Sequence, residues 1–129
     1  MTNKVQTILS VSFGLLALSC QMLAHHGTAA LYDQTKRITL TGFVTEFVWQ
    51  NPHSWVYFDV KDAKGDVTHW GAELNSPGSL ARTDGWTVNT VKPGDEIVIT
   101  LFPSKAGSPV GVANKIMLNR KLVLEKAPK

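Results

Sequence analysis

From residue 38 onward apolar and polar positions alternate in short runs with a period of two, divided by clusters of turn residues. ITLTGFVTEFVW (38–49) reads as a first strand. Its core positions Gly42, Val44, Phe47 and Trp49 slip by one residue near Thr45–Glu46, as a β-bulge would require. HSWVYFDV (53–60) is a second strand with Val56, Phe58 and Val60 on one face. AKGD (63–66) is a hairpin turn, and VTHWGAEL (67–74) is a third strand with Trp70, Ala72 and Leu74 on one face. The period then changes. In NSPGSLARTDGW, Ser76 suits an N-cap, Pro77 the first helical position and Gly85 the far end, which predicts a short helix over 77–83. Thr87 starts a further turn that reaches Val91. KPGDEIVITLF is a turn at Gly94 followed by a fourth strand, Glu96 to Phe102. PSKAGSPVG is a loop, and VANKIMLNRKLVLE supplies one long or two short final strands before a frayed end at Lys129.

Three strands, a helical segment and two further strands, with neither repeats nor low-complexity tracts, predict an all-β chain. The architecture expected is a small OB-like five-stranded antiparallel barrel with one short helix between strands 3 and 4. Closing the sheet removes exposed edges, which matters in a chain rich in β-branched residues. An open sandwich of the same strands is the alternative.

The first 24 residues follow a different pattern. Lys4 is their only charge, and an apolar run extends from Ile8 to Leu18. That run is too short for an ordinary membrane span and has the length of a secretion-signal core. Met22-Leu23-Ala24 ends in a small residue, so residues 1–24 are expected to be a signal peptide and residues 25–129 the single mature domain. ALSC (17–20) offers a competing lipoprotein reading through Cys20, and a retained anchor is a third. Export places the protein in the periplasm or outside the cell, with no membrane span in the mature chain. Cys20 is the only cysteine, so the mature domain has no disulfide and no thiolate ligand. The formal charge of +3 falls by one when Lys4 is removed, too mild a balance for a nucleic-acid partner.

Candidate chemistry emerges from hairpin register. If the turn between strands 2 and 3 centres on Lys64, Trp55 faces Glu73, Tyr57 faces Gly71, and Asp59 faces His69. His53 then falls opposite Asn75 and diagonal to Glu73. All of these point away from the Val56/Phe58/Trp70 core set. Coverage of Trp55 and Tyr57 by segment 27–36, through its apolar pair Leu31–Tyr32, is expected. It would draw the nearby His25–His26 pair towards His53. After cleavage behind Ala24, His25 carries a free α-amine. Amine, deprotonated amide and imidazole nitrogens form a chelate suited to Cu(II) or Ni(II). His53 would add a third imidazole, and Glu73 would either orient it or ligate directly. The predicted metal set is therefore His25, His26, His53 and Glu73, with copper as the ion. Trp55, Tyr57, Asn51 and His69 form a candidate ligand-binding face. The plainer readings are a polar tail for His25–His26, a cross-strand surface pair for His69 and Asp59, and core or rim packing for Trp49 and Trp86. No nucleophile elbow, cysteine nucleophile or phosphate-cradling loop is present.

AHHG, TGFV, WQNPHSWVYFDV, GAELNSPGSL, GWT and KPGDEIVIT together resemble a family of short exported bacterial proteins of unassigned function. The resemblance runs over about residues 24 to 120 and falls on His25, His26, Trp49, Asn51, Pro52, His53, Glu73, Ser76, Pro77, Gly85 and Trp86. Gly27 departs from the serine common among relatives, which leaves no hydroxyl there. The resemblance implies an exported single-domain protein and names no substrate. Two functions are weighed from the residues: a periplasmic copper-binding protein, and a metal-free OB-like module for a peptide, glycan or protein partner. An enzyme, for instance a copper oxygenase built on the N-terminal histidine chelate, is the third reading. A barrel of this size leaves little room for its substrate pocket.

Overall fold

A computed structural model describes residues 27–126. They divide after Leu31 into two units. Of the first, a short helix α1 (Gly27–Leu31) is described. The leader 1–24, the cleavage point after Ala24, Cys20, His25, His26 and residues 127–129 lie outside the described residues.

The second unit contains β1 (Ile38–Val48), β2 (Trp55–Lys61), β3 (Val67–Glu73), α2 (Pro77–Asp84), β4 (Glu96–Pro103), β5 (Val110–Leu118) and β6 (Lys121–Glu125). β1 pairs with β2 and β4, β2 with β3, and β4 with β5, all antiparallel. β5 then pairs with β3 and closes the ring. The expected five-stranded barrel, with one short helix between β3 and β4, is present. The expectation of an all-antiparallel barrel is corrected, because β3 and β5 run parallel. The reason is parity: strands in a ring of five cannot all alternate in direction, so at least one neighbouring pair must run the same way. The final segment forms two strands, and β6 folds back on β5 outside the ring.

Inward positions of every strand build one core. Val44, Val56, Phe58, Ala72, Ile97, Ile99, Leu101, Ala113, Ile116 and Leu118 are buried, joined by Leu74 and by Leu80, Trp86 and Val91 from the crossover. The slip anticipated in the first strand is present, with the register to β2 shifting between Val44 and Glu46. The extra residue keeps Gly42 and Val44 inward on one side of the bulge and Phe47 on the other, so an 11-residue strand can bend around the barrel. At the bend the backbones of β1 and β2 nearly touch. A Cβ on Gly42 would lie 2.1 Å from the Asp59 carbonyl oxygen.

α2 forms where its caps demand. Ser76 is extended (φ −61°, ψ 153°) and its side chain accepts from the Ser79 N–H. Pro77 opens the helix, and Gly85 ends it in the left-handed region (φ 68°) with its N–H on the Leu80 carbonyl. Leu80 is fully buried, so the helix fixes one end of the core. Trp86 follows directly. Its ring meets Phe47 edge-on at 6.1 Å, and Phe47 in turn meets Trp49 at 5.7 Å. The Trp86 indole Nε1–H donates to the Val123 carbonyl at 2.8 Å. Val123 is the residue at which the β5–β6 ladder shifts register.

The β5–β6 hairpin turns on Asn119 (φ 48°) and Arg120 (φ 68°), both left-handed. Asparagine tolerates that conformation, whereas arginine does not favour it. Arg120→Gly should therefore raise stability by about 0.5–1 kcal/mol, a gain of several degrees in Tm. Gly42→Ala should do the opposite and lose about 1–3 kcal/mol or more, because backbone must move to admit one methyl. Thermal unfolding of the two variants checks both signs.

Candidate functional site

β2 and β3 pair in the register anticipated above: Trp55 opposite Glu73, Tyr57 opposite Gly71, Asp59 opposite His69. A tight turn sets it. The Asp62 carboxylate accepts the N–H groups of Lys64 and Asp66, which closes the hairpin over Gly65. Past the end of β2 the pairing continues, with the Ser54 carbonyl accepting from the Leu74 N–H and the Ser54 N–H donating to Asn75. Alternation then sends Ser54 inward, where it is fully buried, and sends His53 outward. Asn51 and Pro52, joined by a cis peptide, form the exposed bend that delivers His53 to the outer face.

Glu73 is the buried acid of this face, only 7% exposed. Its Oε1 lies 2.5 Å from the Nδ1 of His53, an ion-pair contact when the ring is protonated. Its Oε2 accepts from the Tyr32 hydroxyl at 2.6 Å. One carboxylate oxygen therefore has a hydroxyl donor and the other a close imidazole nitrogen, partners that a charge held away from water requires. The His53 side chain stays 45% exposed. With Nδ1 against Glu73, Nε2 is the ring nitrogen turned away from the carboxylate.

Tyr32 comes from outside the barrel strands. Its main chain bridges Ser104, and the next residue, Asp33, donates its N–H to the Pro103 carbonyl. The ring is buried and its hydroxyl ends at β3, so one residue spans from the end of β4 to the strand beyond β5. A short turn follows: the Asp33 carboxylate accepts from Thr35 N–H and Oγ1, bonds that lower its own ionisation below the usual value. Burial, reinforced by the hydrogen bond to Glu73 and its negative charge, pushes ionisation of the Tyr32 phenol well above its ordinary range.

The other candidate residues fall as follows. Trp55 and Tyr57 lie on the same face with rings nearly parallel, 12° apart and 6.0 Å between centroids. Trp55 is half-buried, and Tyr57 remains 38% exposed, so the expected cover over this pair is incomplete. Gly71 leaves room for the Tyr57 ring: a Cβ there would lie 3.1 Å from it. His69 pairs with Asp59 through Nδ1, two rows further along, with its side chain 82% exposed. The structure brings His53 and Glu73 together but leaves His69 apart from them. His25 and His26 lie outside the described residues, and among the described residues no group of three or more His, Cys, Asp or Glu side chains comes together. The residue that sequence reasoning missed is Tyr32. It was legible only as one half of an apolar pair that had to pack somewhere, and nothing local links it to an acid 41 residues away.

The Tyr32–Glu73 bond makes a pH prediction. Unfolded Tyr32 ionises near its ordinary 10.0, and folding raises that value. A raised value means that the phenol's contribution is complete below pH 10.0 and is lost as pH climbs towards the folded value. Urea unfolding from about pH 8 to about pH 11 should show a decline in stability that is steeper in the wild type than in Tyr32→Phe.

No curated protein matches the chain. A family model does, over residues 12–114, a stretch that includes the whole β1–α2 segment, Tyr32, His53 and Glu73. The chain belongs to that family, DUF6152, described as a family of unknown function.

Proposed function

We propose that this barrel is an exported, periplasmic metal-binding protein, that copper is its ion, and that its role is carriage or sequestration of the metal. His53 supplies one imidazole. His25 and His26, at the N-terminus created by cleavage after Ala24, supply the chelating amine and the remaining imidazoles. Glu73 orients His53.

The observation that carries this reading is the buried Glu73 carboxylate on His53 Nδ1. Metal-binding histidines typically donate their second ring nitrogen to a carboxylate, which fixes the tautomer and makes the ligating nitrogen more basic. Glu73 has both oxygens engaged, by His53 and Tyr32, which favours the orienting role over direct ligation. With the only cysteine in the leader, the mature donor set is nitrogen and oxygen, and an N-terminal His-His pair suits a divalent ion that accepts planar nitrogen ligands.

A second reading draws on the stacked, partly exposed Trp55–Tyr57 pair. In it the chain is a metal-free module whose face of Trp55, Tyr57, Asn51 and His69 holds a peptide, glycan or protein partner.

Cu(II) titration of protein processed by a bacterial host separates the two. The mature N-terminus is verified by mass. Sub-micromolar binding is expected. One extra residue ahead of His25 should weaken it at least about 100-fold, and Glu73→Gln should weaken it by about 10–100-fold. Binding indifferent to the added residue would overturn the N-terminal chelate and turn attention to the aromatic face.

A further inference from the structure

We infer that Tyr32 is a positioning residue for the metal ligand His53, and that metal occupancy and docking of Tyr32 onto the barrel reinforce each other through the shared carboxylate of Glu73. The inference rests on the metal-binding reading above and extends it to how the site is regulated.

Three observations lead here. First, Glu73 is buried, and its two oxygens meet partners from two separate parts of the chain: Oε1 the Nδ1 of His53 before β2, Oε2 the hydroxyl of Tyr32 before β1. A buried carboxylate stripped of one donor does not stay in place unchanged, because an unsatisfied charged oxygen away from water is unfavourable. It turns towards solvent or recruits water, and either movement disturbs the remaining bond to His53. Second, among the described residues the Tyr32 side chain has one polar anchor, Glu73, and the main chain is tied at Ser104 and, through Asp33, at Pro103. The orientation of Glu73 therefore decides whether the hydroxyl is satisfied. Third, Tyr32 reaches from the end of β4 to β3 across the seam where β3 and β5 close the ring through three residue pairs. What holds Tyr32 in place also braces the shortest ladder of the barrel.

A cation at His53 Nε2 draws electron density from the ring and makes the Nδ1–H a stronger donor. Glu73 is then held in the orientation that also accepts the Tyr32 hydroxyl. In the other direction, docked Tyr32 presets that orientation, so His53 meets the ion already in the ligating tautomer. Linkage requires the two effects to be equal: the factor by which Tyr32 docking tightens the metal is the factor by which the metal tightens docking. His26 lies six residues upstream of Tyr32 in the chain.

The test uses the mature full-length protein and Cu(II) as probe, with Tyr32→Phe as the variant. Three readouts are taken: copper affinity, the His53 tautomer from metal-free nitrogen–proton correlation spectra, and amide exchange over residues 32–37 with and without copper. In the wild type His53 should be the Nδ1–H tautomer, and copper should slow exchange over 32–37 about tenfold. In Tyr32→Phe the tautomer should become mixed and copper affinity should fall by about 5–50-fold, a coupling of ordinary size. The copper-dependent slowing at 32–37 should shrink with it. A folded Tyr32→Phe with unchanged tautomer and unchanged affinity overturns the coupling and leaves the metal reading standing. A wild type that binds no copper overturns both. If Tyr32→Phe does not fold, the wild-type exchange decides alone: slowing at 32–37 supports the inference, and indifference to copper overturns it.

Discussion

Five strands closed in a ring cannot all alternate, and this constraint organises the molecule. β1 runs against β2 and β4, β2 against β3, and β4 against β5, so β3 and β5 must meet in the same direction. Parallel neighbours cannot be joined by a tight hairpin. The chain meets this with α2 and the turns after it, which carry it from β3 to the far side of β1 and bring Leu80, Trp86 and Val91 into the core on the way. The seam that results is short, from Gly71–Val110 to Glu73–Val112. Glu73 thus ends a strand at the place where closure is thinnest, and Tyr32 crosses to it there.

Burial separates the two histidine–carboxylate pairs on the outer face of β2 and β3. His69 and Asp59 have the same atoms at the same spacing as His53 and Glu73. The first pair is largely in water, where screening leaves an ion pair worth about 0–1 kcal/mol. Glu73 has lost most of its water, so each donor it accepts matters more and the loss of either is felt by the other. The same side-chain chemistry gives a contact largely in water in one row and an imidazole set against a buried carboxylate in another.

Where local rules suffice, the sequence was a good guide. The strand 2–3 register followed from one turn, since a two-residue alternation leaves little freedom once the turn is placed. The Thr45 bulge appeared as a break in that alternation, and Ser76, Pro77 and Gly85 carried the caps of α2 in their own chemistry. Strand direction in the ring was also within reach, because parity needs only the strand count. It was missed by treating short β-runs as antiparallel by default. The contact between Tyr32 and Glu73 was beyond such reasoning. It depends on where the N-terminal approach lands on a finished barrel, which no pattern of neighbouring residues encodes. The leader and the His25–His26 pair remain expectations drawn from sequence.

β6 lies outside the closed ring, and that leaves the barrel with a hem. Closure ties up the flanks of β1, β2 and β4, but among the described strands β6 pairs with β5 alone. Such a border invites a stranger's strand to stitch on and the sheet to grow from molecule to molecule. Here the border is five residues long, begins with a lysine, ends in a glutamate, and bows at Val123. The Val123 carbonyl at that bow already accepts the indole N–H of Trp86. A tryptophan buried in the core thus also fastens the bowed strand that forms the hem.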